Sequence, residues 1–530
     1  MNRLLLFIKN NKVQILLMAV IVLAAHGEKI TSPTIGIDTE KIIDTKEELY
    51  QSWLGIGRQG LVWLKKIMGD WPYNSYITAA ATLLFMVIAY MAFAYLFEYL
   101  LSRKAGGEHD PQAMGRKRWF SLLFGAIVVA HPVMTEQLYF SLQSTEIAIS
   151  FTLTALCLLL AHFWAENKKI WGFVLAAGIM QIIFSVYQAF VPLYLLGNVV
   201  MMFLVVIGER EFSLKEQIIY GVRLAAVFLA GFIINQVITY AYFNESTYLS
   251  DQIIWKEEGI SRGIREIWYH VRDTVAGGGV FYLRMFFWLS LLLFLVFLLY
   301  IRHIPGTGRR GYILLLLAAV YAGPFYMTIL MGMRPVIRAQ LALPFTMGIM
   351  AFLAGTLLSE IPELRDASER GLGKKKMVWL MAGVYVIGLL TILQELERTD
   401  TLYYADEIRY QEDCETARDL GREIVSITGT TDYTGAVAFI GSKKAVLNSA
   451  CVVGDVIGSS FFAWDTAVEP VNYWSSMRIL GFMHCLGYGY TLPTTKEVEA
   501  AAEYAAQMPC YPEAGSVAFY DGMIVVKLSE

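Results

Sequence analysis

Two acidic residues lie close together in the segment IGIDTEK, which spans residues 35–41. Asp38 and Glu40 are two positions apart, so their side chains point to the same face if the chain there is extended. A carboxylate at such a place can take a proton from an attacking hydroxyl group, and a pair of carboxylates can bind Mg²⁺ or Mn²⁺. The alternative is a solvated loop whose acids cap a helix.

Three arginines are candidates for binding a phosphate group. Arg58 lies in the segment GRQGL, and Arg334 and Arg338 lie in the segment MGMRPVIRAQ at residues 331–340. The planar guanidinium group presents paired N–H donors that fit phosphate oxygens. The competing interpretation is contact with lipid headgroups, which long basic side chains also reach from the end of a membrane span.

Two further places combine polar side chains with hydrophobic surroundings. His131 and Glu136 lie in the segment HPVMTE, where an ionisable pair at the end of a hydrophobic run indicates a functional site. A buried histidine at a proline-capped helix end is the alternative. Tyr187 and Gln188 can hydrogen-bond substrate hydroxyl groups, although tyrosines are also common at membrane boundaries.

The composition indicates a membrane protein. The 530 residues are 56% hydrophobic and 17% charged, whereas soluble domains are nearer half apolar and one quarter charged. The net charge of −3 gives no support to nucleic-acid binding. About twenty apolar residues are needed to cross a bilayer as a helix. We predict eleven such segments, at residues 13–26, 76–101, 119–135, 145–165, 170–186, 189–208, 218–240, 279–301, 312–330, 341–358 and 377–393.

The distribution of basic residues predicts the orientation. Lysine and arginine recur in alternate short loops, at residues 3–12, 103–118, 168–169, 210–215, 302–310 and 365–376, and the opposite loops at 136–144 and 187–188 have none. Because basic loops remain in the cytoplasm, the N-terminus is predicted to be inside and the C-terminus outside. Residues 27–75 and 241–278 then form large outer loops. Residues 47–69 have the periodicity of one amphipathic helix.

After the last predicted span the chain changes character. Residues 397–530 contain no apolar run of membrane length, and they alternate helical and strand patterns. Residues 406–427, 471–488 and 496–508 are predicted as helices, 436–441 as a strand, and 516–528 as a hairpin around Asp521-Gly522. We therefore predict a transmembrane module at 1–396 and an extracytoplasmic α/β domain at 397–530. Its four cysteines permit disulfides or free thiols: Cys414, Cys451, Cys485 and Cys510.

Four motifs together resemble a known family. In order they are GIDTE at 36–40, GRQGL at 57–61, YQAF at 187–190, and the segment from Arg334 to Pro344. Their order and common outer placement resemble the GT-C superfamily of membrane glycosyltransferases, and more narrowly the bacterial type II glucosyltransferases known from serotype-converting O-antigen modification. The likeness covers residues 10–395. The family often has a DxD motif or a single acid, whereas this chain has Asp-Thr-Glu, so use of Mg²⁺ or Mn²⁺ stays open.

The resemblance implies a polytopic, multi-pass protein of the bacterial inner membrane. Its activity would be the inverting transfer of a hexose, with glucose expected, from a polyprenyl-phosphate donor to a cell-surface glycan. Asp38 would be the base and Glu40 its helper or a metal ligand. The donor phosphate would be held by Arg58, Arg334 and Arg338, and substrate contacts would come from His131, Glu136, Tyr187 and Gln188.

Other functions fit parts of the pattern. A transporter or flippase for lipid-linked glycans would favour internal repeats and ionisable residues near the bilayer midplane, and neither is evident. A surface polysaccharide polymerase or ligase would share the same architecture, and the sequence hardly separates it from the glucosyltransferase. A non-enzymatic anchor would need only one or two spans.

Overall fold

The computed structural model describes residues 2–102, 111–208, 211–242, 253–255, 259–361 and 372–530. The chain forms two compact units. The first comprises Met1–Ile30, Tyr50–Leu138 and Gln143–Thr399, and the second comprises Thr31–Leu49, Tyr139–Leu142 and Asp400–Glu530. The predicted domain division after residue 396 stays a prediction.

The described chain is mainly α-helical. In chain order, the helices that precede the sheet are α1 (Asn2–His26), α2 (Glu28–Thr31), α3 (Thr39–Asp44), α4 (Lys46–Gly55), α5 (Gln59–Ile67), α6 (Ser75–Ser102), α7 (Pro111–Ala130), α8 (Pro132–Tyr139), α9 (Ser144–Asn167), α10 (Ile170–Val186), α11 (Phe190–Gly208), α12 (Leu214–Tyr242), α13 (Ile260–Ala276), α14 (Met285–Tyr300), α15 (Thr307–Ala322), α16 (Tyr326–Met331), α17 (Ala342–Glu360) and α18 (Leu372–Thr428).

Nine stretches of helix in the described residues are long and apolar enough to cross a membrane: α1, α6, α9, α11, α12, α14, α15 with α16, α17 and α18. The pair α7 and α8, bent by 52° at His131, makes a tenth if both belong to one span. The remaining predicted segment, residues 170–186, forms α10, which is apolar but has only 17 residues. These helices are those of a multi-pass membrane protein. The number eleven and the orientation stay predictions, and residues 103–110, 209–210 and 362–371 of the basic loops lie outside the described residues.

The two large predicted outer loops contain short helices. The prediction of one amphipathic helix over 47–69 is wrong, because α4 ends at Gly55 and α5 begins at Gln59. Between them Gly57 has φ of +75°, a left-handed conformation that interrupts a right-handed helix. The second loop contains α13, while its residues 243–252 and 256–258 lie outside the described residues.

The second unit contains a small sheet with helices packed on it. Strand β3 (Met523–Lys527) lies at its centre, parallel to β1 (Val437–Ile440) and antiparallel to β2 (Val517–Tyr520). The helices here are α19 (Tyr473–Cys485) and α20 (Thr495–Ala505). The predicted hairpin is confirmed, with both turn residues, Asp521 and Gly522, at positive φ. Helix α18 confirms the predicted continuation of the last span to about residue 427, and the strand and helices predicted near β1, α19 and α20 are also confirmed.

The core of this sheet is formed by small and branched apolar side chains. Ala438 and Val525 from the strands pack with Val498, Ala501 and Ala505 of α20. Alanines on α20 allow the helix to approach the sheet closely, and the buried apolar area stabilises the unit. All five cysteines lie within the described ranges and have free thiols.

Candidate functional site

The segment that carries the acidic motif is held by the ring of Tyr139. The Tyr139 hydroxyl accepts a hydrogen bond from the Ile37 amide at 3.1 Å. A Cβ at Gly36 would lie 2.6 Å from the same ring, so only glycine fits there without displacing the tyrosine. The glycine of the motif GIDTE therefore has a packing role.

A second support comes from α18. The Arg409 guanidinium donates to the Ile35 carbonyl at 3.1 Å, and the Thr34 hydroxyl donates to Asp406 at 2.6 Å. Arg409 is fully buried, and Asp406 is 2% exposed. The backbone before Asp38 is thus fixed by side chains from two other parts of the chain.

The acids themselves differ in conformation and exposure. Asp38 has φ of 70° and directly precedes α3, whose first turn contains Glu40. The Asp38 side chain is 38% exposed, whereas the Glu40 side chain is 2% exposed. The segment is not extended here: a left-handed residue is followed by a helix, and the two acids still reach a common partner.

That partner is Arg478 of α19. Its Nη1 donates to Asp38 Oδ1 at 2.8 Å and also to Glu40 Oε1. Its opposite edge is held by Asp465, whose Oδ2 accepts from Nε at 2.9 Å and from Nη2 at 2.8 Å. One guanidinium group thus joins three carboxylates, and its side chain is only 6% exposed.

Burial and the neighbouring charges shift the pKa values of Glu40 and Arg478. Burial raises the pKa of Glu40 from 4.5 to about 7, while the Arg478 charge opposes that shift and the Asp38 charge adds to it. Within the described residues Glu40 Oε2 is buried without a hydrogen-bond partner, so no hydrogen bond at that oxygen stabilises the charged form. Burial acts to lower the pKa of Arg478, but the charges of Glu40, Asp38 and Asp465 together raise that pKa, so Arg478 stays charged.

The predicted phosphate ligand Arg334 lies in the first unit and is ion-paired. Its Nη2 donates to Asp273 Oδ2 of α13 at 2.7 Å, and its guanidinium lies 5.6 Å from the centre of the Tyr282 ring. This pairing lowers the pKa of Asp273. Arg338 is half-buried in a short 3-10 helix, Ile337–Ala339.

Buried polar side chains support Arg334. His270 of α13 hydrogen-bonds Thr328 at 2.7 Å and Gln340 at 3.2 Å. The Tyr282 hydroxyl donates to the same Gln340 oxygen at 2.9 Å. Burial lowers the pKa of His270 to about 4, so it is neutral at physiological pH. The turn at 331–340 is thereby tied to α13.

The structure brings together two other predicted residues, Arg58 and Tyr187. The guanidinium carbon of Arg58 lies 5.2 Å from the centre of the Tyr187 ring, a cation–π contact. Gln59, which follows Arg58 in the chain, is fully buried, and its Nε2 donates a hydrogen bond to Asn235 Oδ1 of α12 at 2.9 Å. Gly60 approaches α10 so closely that a Cβ there would lie 2.8 Å from the Ile182 carbonyl oxygen.

The remaining predicted residues belong to the first unit and lie in or just before helices α8 and α11. His131 and Glu136 are fully buried, and the His131 Nδ1 accepts from the Val133 amide at 3.1 Å, which caps α8. Gln188 is half-buried just before α11. Contact of His131 or Glu136 with a substrate would require an opening at this bend, and their roles stay predictions.

The predicted site residues fall in both compact units. Asp38 and Glu40 belong to the second unit, and all the other predicted site residues belong to the first. Sequence reasoning missed Arg478, which no local pattern marks, and Asp273, which follows Arg272 on a strongly amphipathic helix. Among the described residues there is no group of three or more His, Cys, Asp or Glu side chains arranged to hold a metal ion.

Comparisons with known proteins identify the family. A search of curated proteins finds no match to the chain. The family model described as glucosyl transferase GtrII matches residues 29–354, which is more than half of the 530 residues. The matched segment includes Asp38, Glu40 and Arg334, and it ends before Arg478. The protein therefore belongs to the GtrII glucosyltransferase family and is a transferase enzyme.

Proposed function

We propose that this glucosyltransferase moves glucose from a polyprenyl-phosphate donor to a cell-surface glycan at the outer face of the bacterial inner membrane. The family supplies the glucosyl transfer, and the apolar helices supply the membrane setting. A lipid-linked donor fits an enzyme whose acidic motif lies directly after its first span. The C-terminal α/β region would lie on the extracytoplasmic side.

The observation that carries this proposal is the geometry of Asp38. Its Oδ1 is held by Arg478, and the side chain is nevertheless 38% exposed, so a carboxylate oxygen is open to a substrate. In the proposed step the acceptor hydroxyl gives its proton to Asp38 as its oxygen attacks C1 of glucose. The bond from C1 to the phosphate oxygen breaks, polyprenyl phosphate leaves, and the configuration at C1 inverts.

Glu40 is proposed as the helper of Asp38. Its carboxyl is buried beside Asp38 and shares the same guanidinium nitrogen. This arrangement does not fit a Mg²⁺ or Mn²⁺ ion, because the two acids converge on a cation that the protein itself provides. We therefore derive no step through a metal ion.

The donor phosphate is proposed to bind the outer-loop arginines. The ion pair with Asp273 and the contact with Tyr282 orient the Arg334 guanidinium, whose side chain is 27% exposed. An oriented fork loses less conformational entropy on binding a phosphate than a freely rotating one. Arg338 and Arg58 are proposed as further phosphate contacts, and Tyr187 and Gln188 as sugar contacts.

Replacement of the base tests the proposal. Asp38→Asn keeps the size of the side chain but cannot accept the proton, so we expect transfer to fall about 10²- to 10⁴-fold. The measurement is transfer of radiolabelled glucose from polyprenyl-phosphate glucose by the full chain in proteoliposomes, with cell-envelope glycan as acceptor. Glu48→Gln, which neutralises an exposed carboxylate of α4, is the matched control and should retain wild-type turnover.

Two results would contradict the proposal. Full turnover by Asp38→Asn would exclude Asp38 as the base. Transfer from a sugar nucleotide but not from the polyprenyl donor would exclude the proposed donor.

A further inference from the structure

The partner of the acid pair comes from a region beyond the family match. Arg478 lies on α19, whereas the matched segment ends at residue 354. Its Nη1 joins Asp38 Oδ1 and Glu40 Oε1, which are separated from it by 440 and 438 positions in the sequence. The matched segment therefore contributes the acids, and the C-terminal region contributes the cation that holds them.

The direction of this guanidinium is fixed from the other side. Asp465 accepts hydrogen bonds from Nε and Nη2, at 2.9 and 2.8 Å, so the Nη1 edge is turned toward the acids. Because a guanidinium is planar, holding one edge determines where the other edge points. Asp465 is 21% exposed and Arg478 is 6% exposed, so solvent screens this arrangement weakly.

The backbone of α19 is itself anchored to the sheet. The Ser476 hydroxyl donates to the Phe439 carbonyl of β1 at 3.1 Å and accepts from the Phe439 amide at 2.9 Å. On the other side of α19, a Cβ at Gly481 would lie 3.0 Å from Glu40 Cγ, so the helix packs directly against α3. The sheet thus sets the position from which Arg478 reaches the acids.

We propose that Arg478 is a positioning residue that orients Asp38 and keeps the Asp38 and Glu40 carboxylates side by side. This inference rests on the proposed role of Asp38 as base. By binding Oδ1, Arg478 leaves Oδ2 to receive the proton of the acceptor hydroxyl. Its charge also offsets the repulsion that two adjacent carboxylates would otherwise experience. The C-terminal α/β region is then part of the catalytic machinery rather than an appended module.

Substitution of Arg478 in the full chain tests the inference. For Arg478→Gln we expect kcat of the glucose-transfer assay to fall 30- to 300-fold, with KM for the polyprenyl donor changed less than 3-fold, because donor binding does not involve this residue. Arg478→Lys restores the charge but not the paired N–H donors of the guanidinium group. We expect its kcat to be at least 10-fold higher than that of Arg478→Gln. Arg422→Gln, which alters an arginine that is 77% exposed, is the matched control and should keep wild-type kcat.

A second variant keeps the inference testable if Arg478→Gln does not fold. Asp465→Asn leaves the two acids and Arg478 in place but weakens the hydrogen bonds to Nε and Nη2 of Arg478. We expect a 3- to 10-fold fall in kcat at unchanged KM. Folding of every variant is checked by its thermal unfolding midpoint in detergent. Wild-type kcat in a folded Arg478→Gln would overturn the inference, and so would wild-type kcat in Asp465→Asn where Arg478→Gln does not fold.

Asp38→Asn, assayed in parallel, separates this inference from the proposed function. If Asp38→Asn is inactive and Arg478→Gln folds with wild-type kcat, only the positioning role is overturned. If Asp38→Asn is fully active, the proposed base fails and the positioning role fails with it.

Discussion

Asp38 combines backbone strain with a specific partner. A non-glycine residue with φ of 70° costs roughly 1 kcal/mol, and aspartate is among the side chains that tolerate this conformation best. Such a conformation persists when the surroundings determine it, and here Tyr139, Arg409 and Arg478 hold the segment on three sides. This conformation puts Asp38 directly before the first turn of α3.

The burial of Glu40 predicts a pH-dependent stability. Its pKa is about 7 in the folded chain against 4.5 ordinarily, so the folded state holds a proton between these values that the unfolded state has released. The free energy of unfolding should therefore fall as pH rises from 4.5 to about 7, by at most about 1.4 kcal/mol per pH unit. The charged and titratable groups around Glu40 are Asp38, Asp44, Asp465, Arg478, His484 and Cys485.

Glu40→Gln tests this dependence, because glutamine stays neutral throughout. We expect its thermal unfolding midpoint to change less between pH 5 and pH 8 than that of the wild type. Glu48→Gln should reproduce the wild-type pH dependence, because Glu48 is exposed on α4. An unchanged pH dependence in Glu40→Gln would show that other groups cause it.

The acids could be found from the sequence, but their partner could not. Asp38 and Glu40 stand out because two carboxylates lie beside a hydrophobic run, and that is local information. Arg478 is one arginine in an ordinary helix, and its partners lie 440 and 438 positions away. Contacts of that range depend on tertiary packing, which no periodicity encodes.

At the scale of elements, hydropathy located the helices better than it located their interruptions. Every predicted span contains a helix, because long apolar runs are set by local composition. The break between α4 and α5 was not predicted, since the helical periodicity of residues 47–69 continues through Gly57. A single glycine at positive φ was enough to divide the pattern, and a glycine in a helical pattern permits either outcome.

The packing of α5 on α10 gives a prediction for Gly60. A Cβ at this position would lie 2.4 Å from Ser185 Oγ and 2.8 Å from the Ile182 carbonyl oxygen. The backbone oxygen cannot move without displacing α10, so Gly60→Ala should destabilise the protein by about 1–3 kcal/mol. The measurement is the thermal unfolding midpoint of the purified chain in detergent.

Gly55→Ala is the matched control for Gly60. Nothing lies within 4 Å of a Cβ at Gly55, so alanine there should be neutral or slightly stabilising. Equal unfolding midpoints for the two variants would mean that α5 does not pack on α10 as described. Because Arg58 immediately precedes α5, Gly60→Ala should also weaken the contact between Arg58 and Tyr187.

At the scale of the whole molecule, the second unit is assembled from three distant segments. It takes Thr31–Leu49 and Tyr139–Leu142 from within the family match and Asp400–Glu530 from beyond it. The acidic motif is therefore built into a unit whose sheet and helices follow the matched segment. This explains why the sequence predicted the C-terminal α/β pattern correctly and yet gave no sign that the acidic motif belongs with it.

Arg409 joins these three segments, and its replacement provides the last prediction. It donates to Asp406 and Asp413 on α18, to the Ile35 carbonyl and, at 3.5 Å, to the Tyr139 hydroxyl, and it is fully buried. Arg409→Met would leave two buried carboxylates without their cation, which typically destabilises a protein by about 3–5 kcal/mol. We expect a lower unfolding midpoint in detergent and a loss of transfer activity, because the support before Asp38 is removed.

Arg422→Gln is the control for Arg409→Met. It breaks an exposed pair with Asp419 and should change stability by about 1 kcal/mol or less. Similar midpoints for the two variants would contradict the role of Arg409 as the residue that holds the acidic segment to α18.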